Sequence, residues 1–258
     1  MCNTFPDRET VCAAMALATR APSVHNTQPW RWRIGEHSVH LYAEPSLHLV
    51  HTDPDGRDLL ISCGAALHHA AVAFYALGWQ PTVRRFPNPA EPNHLASIEL
   101  VPCTPEQPDI ALAAAIPRRR TDRRHYSGWP VALGDIALMT ARAARLGIGL
   151  RRAKLDDVLT TALRQAVSQH VHDREYLTEL TVWSGRYAAV AGVPSAGARC
   201  GPSTGSPSMF GSIWNSMGVM LTQSSLSNRP SLRRIHSSTM AACSISSFML
   251  CRRIAFNS

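Results

Sequence analysis

The apolar positions in the first part of the chain change period between segments. Residues 8–20 repeat at helical spacing and Pro22 ends that helix, whereas residues 28–43 alternate between apolar and polar side chains around a Gly35-Glu36 turn. The first segment therefore predicts a helix and the second a β-hairpin. The apolar side chains that define these elements are Val11, Ala14, Met15, Leu17, Trp30, Trp32, Ile34, Val39 and Leu41.

Residues 56–78 are apolar almost all round and predict a long helix without a polar face. A helix of this kind belongs in the buried centre of a fold. Its small side chains would let another helix pack close to it. Two short strands follow near residues 82–86 and 95–101, separated by a turn-rich Pro-Asn-Pro stretch.

The pattern after residue 108 is mainly helical again. We predict helices over residues 109–116, 134–146 and 155–182, with a strand over 148–153. A mixture of helices and short strands indicates an α+β fold.

The composition changes at about Ser195. No Asp or Glu occurs after Glu179, and residues 195–258 contain six arginines and no acid. Residues 195–212 are rich in Gly, Ser and Pro, which is typical of loops and disorder. We interpret residues 195–258 as a frameshifted or otherwise aberrant, truncated C-terminus, with a disordered tail as the alternative. In either case we expect this segment to contribute nothing to the fold.

The net charge of +8 does not indicate nucleic-acid binding once its distribution is considered. Residues 1–194 contain 20 basic and 18 acidic residues, so this part of the chain is close to neutral. A near-neutral surface gives no general attraction to a phosphate backbone. We also see no run of about 18 apolar residues and no secretory signal, so we expect no membrane span.

The seven cysteines show no C-x-x-C pair and no regular spacing. Free thiols in a reducing cytoplasm are the simplest interpretation, and nothing in the spacing indicates zinc. The adjacent His68 and His69 diverge by about 100° on a helix, so they cannot chelate one metal as an i,i+4 pair could. We therefore expect these two histidines to pack, and we expect no metal site.

A polar stretch between the first helix and the hairpin offers hydrogen-bonding groups. Ser23, Asn26 and Gln28 carry hydroxyl and amide groups that both donate and accept, and Pro22 and Pro29 stiffen the ends. This set suits the imide and carbonyl edges of a flavin. The same set suits equally well a turn whose side chains form hydrogen bonds only with the backbone of that turn. The residues alone leave both interpretations open.

A basic run, RRRTDRR, occupies residues 118–124. Forked guanidinium donors around the Thr121 hydroxyl could clamp a phosphate. Taken in isolation, an arginine run is more often a solvated loop or a nucleic-acid contact.

The first stretch resembles a signature of the nitroreductase superfamily, A-P-S-x-x-N-x-Q-P-W, which is complete from Ala21 to Trp30. Its longer form, RAPSVHNTQPWRW over residues 20–32, is similar to that of the Acg-type NAD(P)H nitroreductases known from mycobacteria. The TDPDGR stretch over residues 52–57 is similar as well. The resemblance covers roughly residues 5–194.

This resemblance implies an FMN-dependent, nitroreductase-like α+β fold. One motif would lie against the isoalloxazine ring. The basic run would hold the phosphate as the family's Arg-x-Ser-x-Arg/Lys stretch does, with Thr in place of Ser. The residues concerned are Pro22, Ser23, Asn26 and Gln28 for the ring, and Arg119, Thr121 and Arg123 for the phosphate.

The order of the two motifs resembles two nitroreductase-like halves fused in one chain. The first half would span residues 1–108 and an incomplete second half 109–194, followed by the tail 195–258. A single flavin would lie between the halves, so a homodimer would not be required. A segment over residues 175–184 resembles a helix that borders the flavin pocket, where Glu179 and Trp183 would have structural roles.

The resemblance implies that a flavin passes electrons from NAD(P)H to a small-molecule acceptor. We name no catalytic residue, because the superfamily commonly needs no dedicated protein acid or base. Three functions stay open from the sequence: an FMN-dependent reductase, a protein that sequesters flavin without turnover, and a non-functional truncated product. No nucleic-acid or membrane partner is expected.

Overall fold

The computed structural model describes residues 5–121, 130–153, 156–184, 191–193 and 254–256. Six α-helices and five β-strands are defined within these residues. The helices are α1 (Arg8–Ala18), α2 (Arg57–Ala76), α3 (Gln107–Ala115), α4 (Leu133–Arg145), α5 (Asp157–His172) and α6 (Arg174–Trp183). The strands are β1 (Trp30–Ile34), β2 (Ser38–Ala43), β3 (Trp79–Arg85), β4 (His94–Pro102) and β5 (Ile254–Phe256).

The strands form one sheet in the order β3-β4-β2-β1-β5. The predicted hairpin is confirmed, since β1 and β2 pair antiparallel with Trp32 opposite Leu41. β2 and β3 both pair antiparallel with β4, whereas β5 runs parallel to β1. The described residues thus form an α+β fold, as the sequence predicted.

The hydrophobic core lies where α1 and α2 pack together and against the sheet. Trp30, Trp32 and Ile34 are buried in β1, and the arginines between them are exposed, as strand alternation requires. All residues of this core come from the first hundred of the chain. The core therefore belongs to the first predicted half.

α2 is less buried than its apolar sequence predicted. Ala66, Ala70, Ala73 and Phe74 face the core, but Leu60 and Ile61 on the opposite side of the helix are exposed. By length and composition alone α2 could cross a membrane, although the sequence showed no run of about 18 apolar residues. In this structure α2 packs against the sheet and α1, so its apolar side chains belong to the core of the fold.

The structure corrects two predictions after residue 145. Residues 148–153 form no strand, because no described neighbouring strand pairs with them. The single helix predicted over residues 155–182 is instead α5 and α6, which meet at Asp173. The Asp173 carboxylate accepts from the backbone N–H groups of Glu175 and Tyr176 and so begins a new helix.

The prediction that nothing after residue 194 joins the fold is wrong for β5. Ile254–Phe256 pair with the outer edge of β1, with Trp32 opposite Ile254. An edge strand has unpaired N–H and C=O groups, which a further strand can satisfy. Residues 194–253, where most of the predicted tail falls, lie outside the described part of the chain.

Candidate functional site

The polar stretch between α1 and β1 adopts an unusual backbone. His25, Asn26 and Gln28 have φ values of 46°, 54° and 53°, in the left-handed region that side chains disfavour. Such conformations cost of order 1–3 kcal/mol each and concentrate at functional sites. The loop therefore holds its side chains in an arrangement that ordinary backbone preferences would not produce.

Local hydrogen bonds stabilise this loop. The Ser23 hydroxyl oxygen accepts from the backbone N–H of Gln28 at 2.9 Å, and the Val24 N–H donates to the Ser62 hydroxyl on α2 at 3.3 Å. As an acceptor, Ser23 therefore satisfies the backbone of its own turn, which was one of the two interpretations of this stretch. The hydroxyl hydrogen of Ser23 is not used in that bond and can still donate.

A cavity of ≈ 10 Å³ lies under this loop, between Val24, Thr27 and Ser62. That is about the volume that one water occupies, far below the several hundred Å³ of a ligand pocket. A flavin ring therefore does not fit into this cavity, which leaves the outer side of the loop as the candidate surface. Pro22, Ser23 and Asn26 are partly exposed there, whereas Gln28 is buried.

The basic run meets this loop directly. A guanidinium N–H of Arg119 donates to the Arg20 carbonyl at 3.0 Å, and the Arg20 guanidinium donates to the Pro117 carbonyl at 3.1 Å. Arg119 also donates to the Thr121 hydroxyl at 3.3 Å. The two sequence motifs, almost a hundred residues apart, therefore form one continuous surface.

This surface concentrates positive charge. Among the residues that the structure describes, no carboxylate forms an ion pair with Arg20, Arg119 or Arg120. Burial, together with the charges of Arg20 and Arg120, lowers the pKa of Arg119. The Arg119 Nε–H is buried and has no described hydrogen-bond partner. An anion bound at the exposed side of this surface would relieve the repulsion between the arginines.

His69 on α2 lies close to this cluster and adds no charge to it. Burial, the neighbouring His68 and the charge of Arg119 lower the pKa of His69 to about 4. The ring is therefore neutral at neutral pH. One of its nitrogens hydrogen-bonds the Leu17 backbone, while Nδ1 is buried without a described partner.

α6 and the segment after it contact the first predicted half at two points. The Glu179 carboxylate accepts from the backbone N–H and the hydroxyl of Thr52, at 2.8 and 2.7 Å. Gly192 exchanges two hydrogen bonds with Asn26: its N–H donates to the Asn26 carbonyl, and its carbonyl accepts from the Asn26 amide at 3.3 Å. The hydrogen bonds of Glu179 to Thr52 agree with the structural role that the resemblance implied for it.

The structure brings most of the predicted site residues together. Ser23 and Asn26 belong to the strained loop, and Arg119 and Thr121 form the basic surface beside it. Arg123 lies outside the described residues. Two residues at this surface were not predicted. Arg20 is the first residue of the RAPSVHNTQPWRW stretch, and Gly192 lies in no recognisable motif.

Other chemical groups have ordinary structural roles. Cys12, Cys63 and Cys103 are free thiols, and burial raises the pKa of Cys63 to about 12, so that its thiol stays protonated. The His68 and His69 rings lie 6.5 Å apart. Within the described ranges, no group of three or more potential ligands is placed to hold a metal ion.

Comparison with known proteins identifies relatives of this chain. No family model matches it. It is 60% identical over 191 residues to the putative NAD(P)H nitroreductase Rv3131 of Mycobacterium tuberculosis (strain ATCC 25618 / H37Rv), covering 74% of this chain and 56% of the relative. The putative NAD(P)H nitroreductase acg of the same strain is 36% identical over 198 residues, or 75% of this chain and 60% of the relative.

A third relative, the uncharacterized protein Rv3127 of that strain, is 36% identical over 194 residues, which cover 70% of this chain and 55% of the relative. The chain thus spans a little over half the length of the curated relatives it matches.

Proposed function

The chain belongs to the nitroreductase family over the length that it shares with these relatives, and on that premise we propose that it binds FMN and passes electrons from NAD(P)H to a small-molecule acceptor. The FMN phosphate would bind at Arg119, Thr121 and Arg123. The isoalloxazine ring would lie against Pro22, Ser23 and Asn26, with the buried Gln28 supporting the loop from beneath. One flavin would then contact both predicted halves within a single chain.

One observation carries this proposal: the hydrogen bond between the Arg119 guanidinium and the Arg20 carbonyl. This bond places Arg119, a candidate for binding the phosphate, next to Arg20, which lies two positions before Pro22. The charge of the surface supports an anionic ligand, since the arginines contact carbonyl and hydroxyl groups and form no described ion pair. The partly exposed polar groups of the strained loop support a heterocycle beside that anion.

The residues of this chain would bind and orient the cofactor. When bound, FMN supplies the electron transfer, taking up hydride from NAD(P)H and releasing reducing equivalents to an acceptor. Arg119 would hold the phosphate with charge-assisted hydrogen bonds, and Ser23 would donate its free hydroxyl hydrogen to the ring edge. No side chain is assigned a proton-transfer role.

Flavin fluorescence quenching tests the phosphate assignment. Titrating FMN with the full chain should quench its fluorescence, and Arg119→Gln should weaken binding about 10- to 100-fold, the effect of losing one hydrogen bond to a charged group. Arg85→Gln, which changes an exposed arginine on β3, should leave the affinity unchanged. Equal affinity of the wild type and Arg119→Gln would contradict the assignment.

Turnover distinguishes a reductase from a protein that only sequesters flavin. The flavin-loaded chain should oxidise NADH or NADPH when a nitroaromatic or quinone acceptor is added. The measurement is the loss of nicotinamide absorbance with and without acceptor. Tight FMN binding without oxidation of either nucleotide would support sequestration, and the absence of FMN binding would reject both functions.

A further inference from the structure

Arg20 and Arg119 hold each other in place across the junction of the two motifs. Arg119 donates to the carbonyl of Arg20, and Arg20 donates to the carbonyl of Pro117, which lies two positions before Arg119. The contacts are 3.0 and 3.1 Å long. Each arginine therefore contacts the backbone next to the other one, and burial, helped by the nearby charge of Arg20, lowers the pKa of Arg119.

This arrangement is unfavourable for two cations unless a third group intervenes. Both guanidinium groups donate to neutral carbonyl oxygens, which leave the full charge in place. Arg120 adds a third cation that also donates to the Pro117 carbonyl, at 2.6 Å. In the described part of the chain, none of these three arginines pairs with a carboxylate.

Arg20 is also well exposed, so its guanidinium is accessible from solvent. An arginine has five N–H donors, and the bond to Pro117 uses one nitrogen of its fork. The remaining donors are available to an oxyanion that approaches from the solvent side. A tetrahedral phosphate bound by Arg119 and Thr121 would have oxygens left over for such a second arginine.

We propose that Arg20 is a further phosphate-binding residue, and that it acts with Arg119 and Thr121 as an anion clamp built from both motifs. This inference rests on the proposed function, because it assigns Arg20 to the phosphate end of the flavin nucleotide. The ligand chemistry is a phosphate monoester. Arg20 thereby gives the first motif a role at the phosphate in addition to its role at the ring.

The test compares FMN with riboflavin, which lacks the phosphate. In Arg20→Gln the dissociation constant for FMN should rise about 10-fold or more, while that for riboflavin changes less than about 2-fold. Arg20→Lys keeps the charge but not the fork, so it should lose less FMN affinity than Arg20→Gln. Arg85→Gln again serves as the control for loss of one exposed positive charge.

A purely structural role for Arg20 would give a different result. If Arg20 only held the Pro117 carbonyl, Arg20→Lys, which keeps one donor for that carbonyl, would bind FMN as tightly as the wild type. That outcome, or an unchanged preference for FMN, overturns the inference. If Arg119→Gln loses the preference while Arg20→Gln keeps it, the proposed function stands and Arg20 is excluded from the clamp.

Inorganic pyrophosphate tests the clamp separately from the flavin. If the wild type binds neither flavin, the proposed function fails, but pyrophosphate should still raise its Tm by about 2–4 °C at saturating concentration. Arg20→Gln should then remove that rise and Arg85→Gln should not. A wild type without a shift, or equal shifts in the wild type and Arg20→Gln, would reject Arg20 as an anion ligand.

Discussion

The part of the chain up to β4 and the helices α4 and α5 differ sharply in how they bury apolar side chains. Among the residues that the structure describes, the hydrophobic core draws only on the first part, where Trp32, Val39 and Phe74 are essentially inaccessible to solvent. α4 and α5 have no buried residue, although both are amphipathic. Leu133 and Val158 are 75% and 79% exposed.

This difference shows that an amphipathic pattern specifies a helix but not its partner. The first part contains within itself the strands and helices that cover each other's apolar faces. α4 and α5 have an apolar stripe but no described layer against which to pack. Large exposed apolar patches favour association or aggregation. The burial of apolar side chains that stabilises the described residues should therefore come almost entirely from the part of the chain up to β4.

Truncating the same residue type in the two regions tests this contrast with the largest expected effect. Leu41→Ala on β2, where the side chain is 1% exposed, should lower the free energy of unfolding by about 2–5 kcal/mol through lost burial and a cavity. Leu138→Ala on α4, at 52% exposure, should change it by less than about 0.5 kcal/mol. Urea unfolding measures both, and equal losses would show that α4 has its own packed core.

The contact between Glu179 and Thr52 should have an intermediate effect, because it is where α6 joins the first part. Glu179→Ala removes a carboxylate that accepts two hydrogen bonds from Thr52, which should cost about 1.5–3 kcal/mol. Glu175→Ala on the same helix removes an exposed contact between the Glu175 carboxylate and the His51 ring, worth at most about 1 kcal/mol. Hydrogen exchange of the Thr52 amide should accelerate only in Glu179→Ala. Acceleration in neither variant would mean that α6 does not dock there.

The smallest predicted effect is the pH dependence contributed by His69. Because its pKa in the folded state lies near 4, below the ordinary 6.5, the unfolded chain takes up a proton that the folded chain does not as the pH falls below 6.5. Stability should therefore decrease from pH 7 to pH 5, with His69 contributing no more than about 1 kcal/mol after solvent screening.

His69→Gln should reduce that loss between pH 7 and pH 5, whereas His37→Gln, at an exposed position, should not. Denaturant unfolding at the two pH values gives the comparison. An identical pH dependence in the wild type and His69→Gln would show that the ring is not buried as described.

The sequence predicted the elements whose pattern is local. The alternation in β1 and the helical period of α1 gave their positions within a few residues, because a single buried face produces each pattern. The junction at Asp173 was missed although Asp is a helix-start signal, because no proline or glycine separates α5 from α6. The strand predicted over residues 148–153 failed because a strand also needs a partner, which no local pattern supplies.

The candidate site was predictable as chemistry but not as geometry. The first motif coincides with the strained loop, and the basic run contains the side chains that we propose for phosphate binding. The bonds from Arg20 to Pro117 and from Arg119 to Arg20 span 97 and 99 residues, so no period could reveal them. The exposed face of α2 was missed for a related reason. An apolar helical sequence shows which side chains can be buried, but it does not show which other elements cover them.

The most direct test of the account is the flavin preference of one variant in each motif. Asn26→Ala should weaken FMN and riboflavin by the same factor, since Asn26 is assigned to the ring that both ligands share. Arg119→Gln should weaken FMN alone, because only FMN carries the phosphate. Equilibrium titration of both ligands against both variants gives four ratios to the wild type. If Asn26→Ala spares riboflavin, or Arg119→Gln weakens it as much as FMN, the proposed flavin site is contradicted.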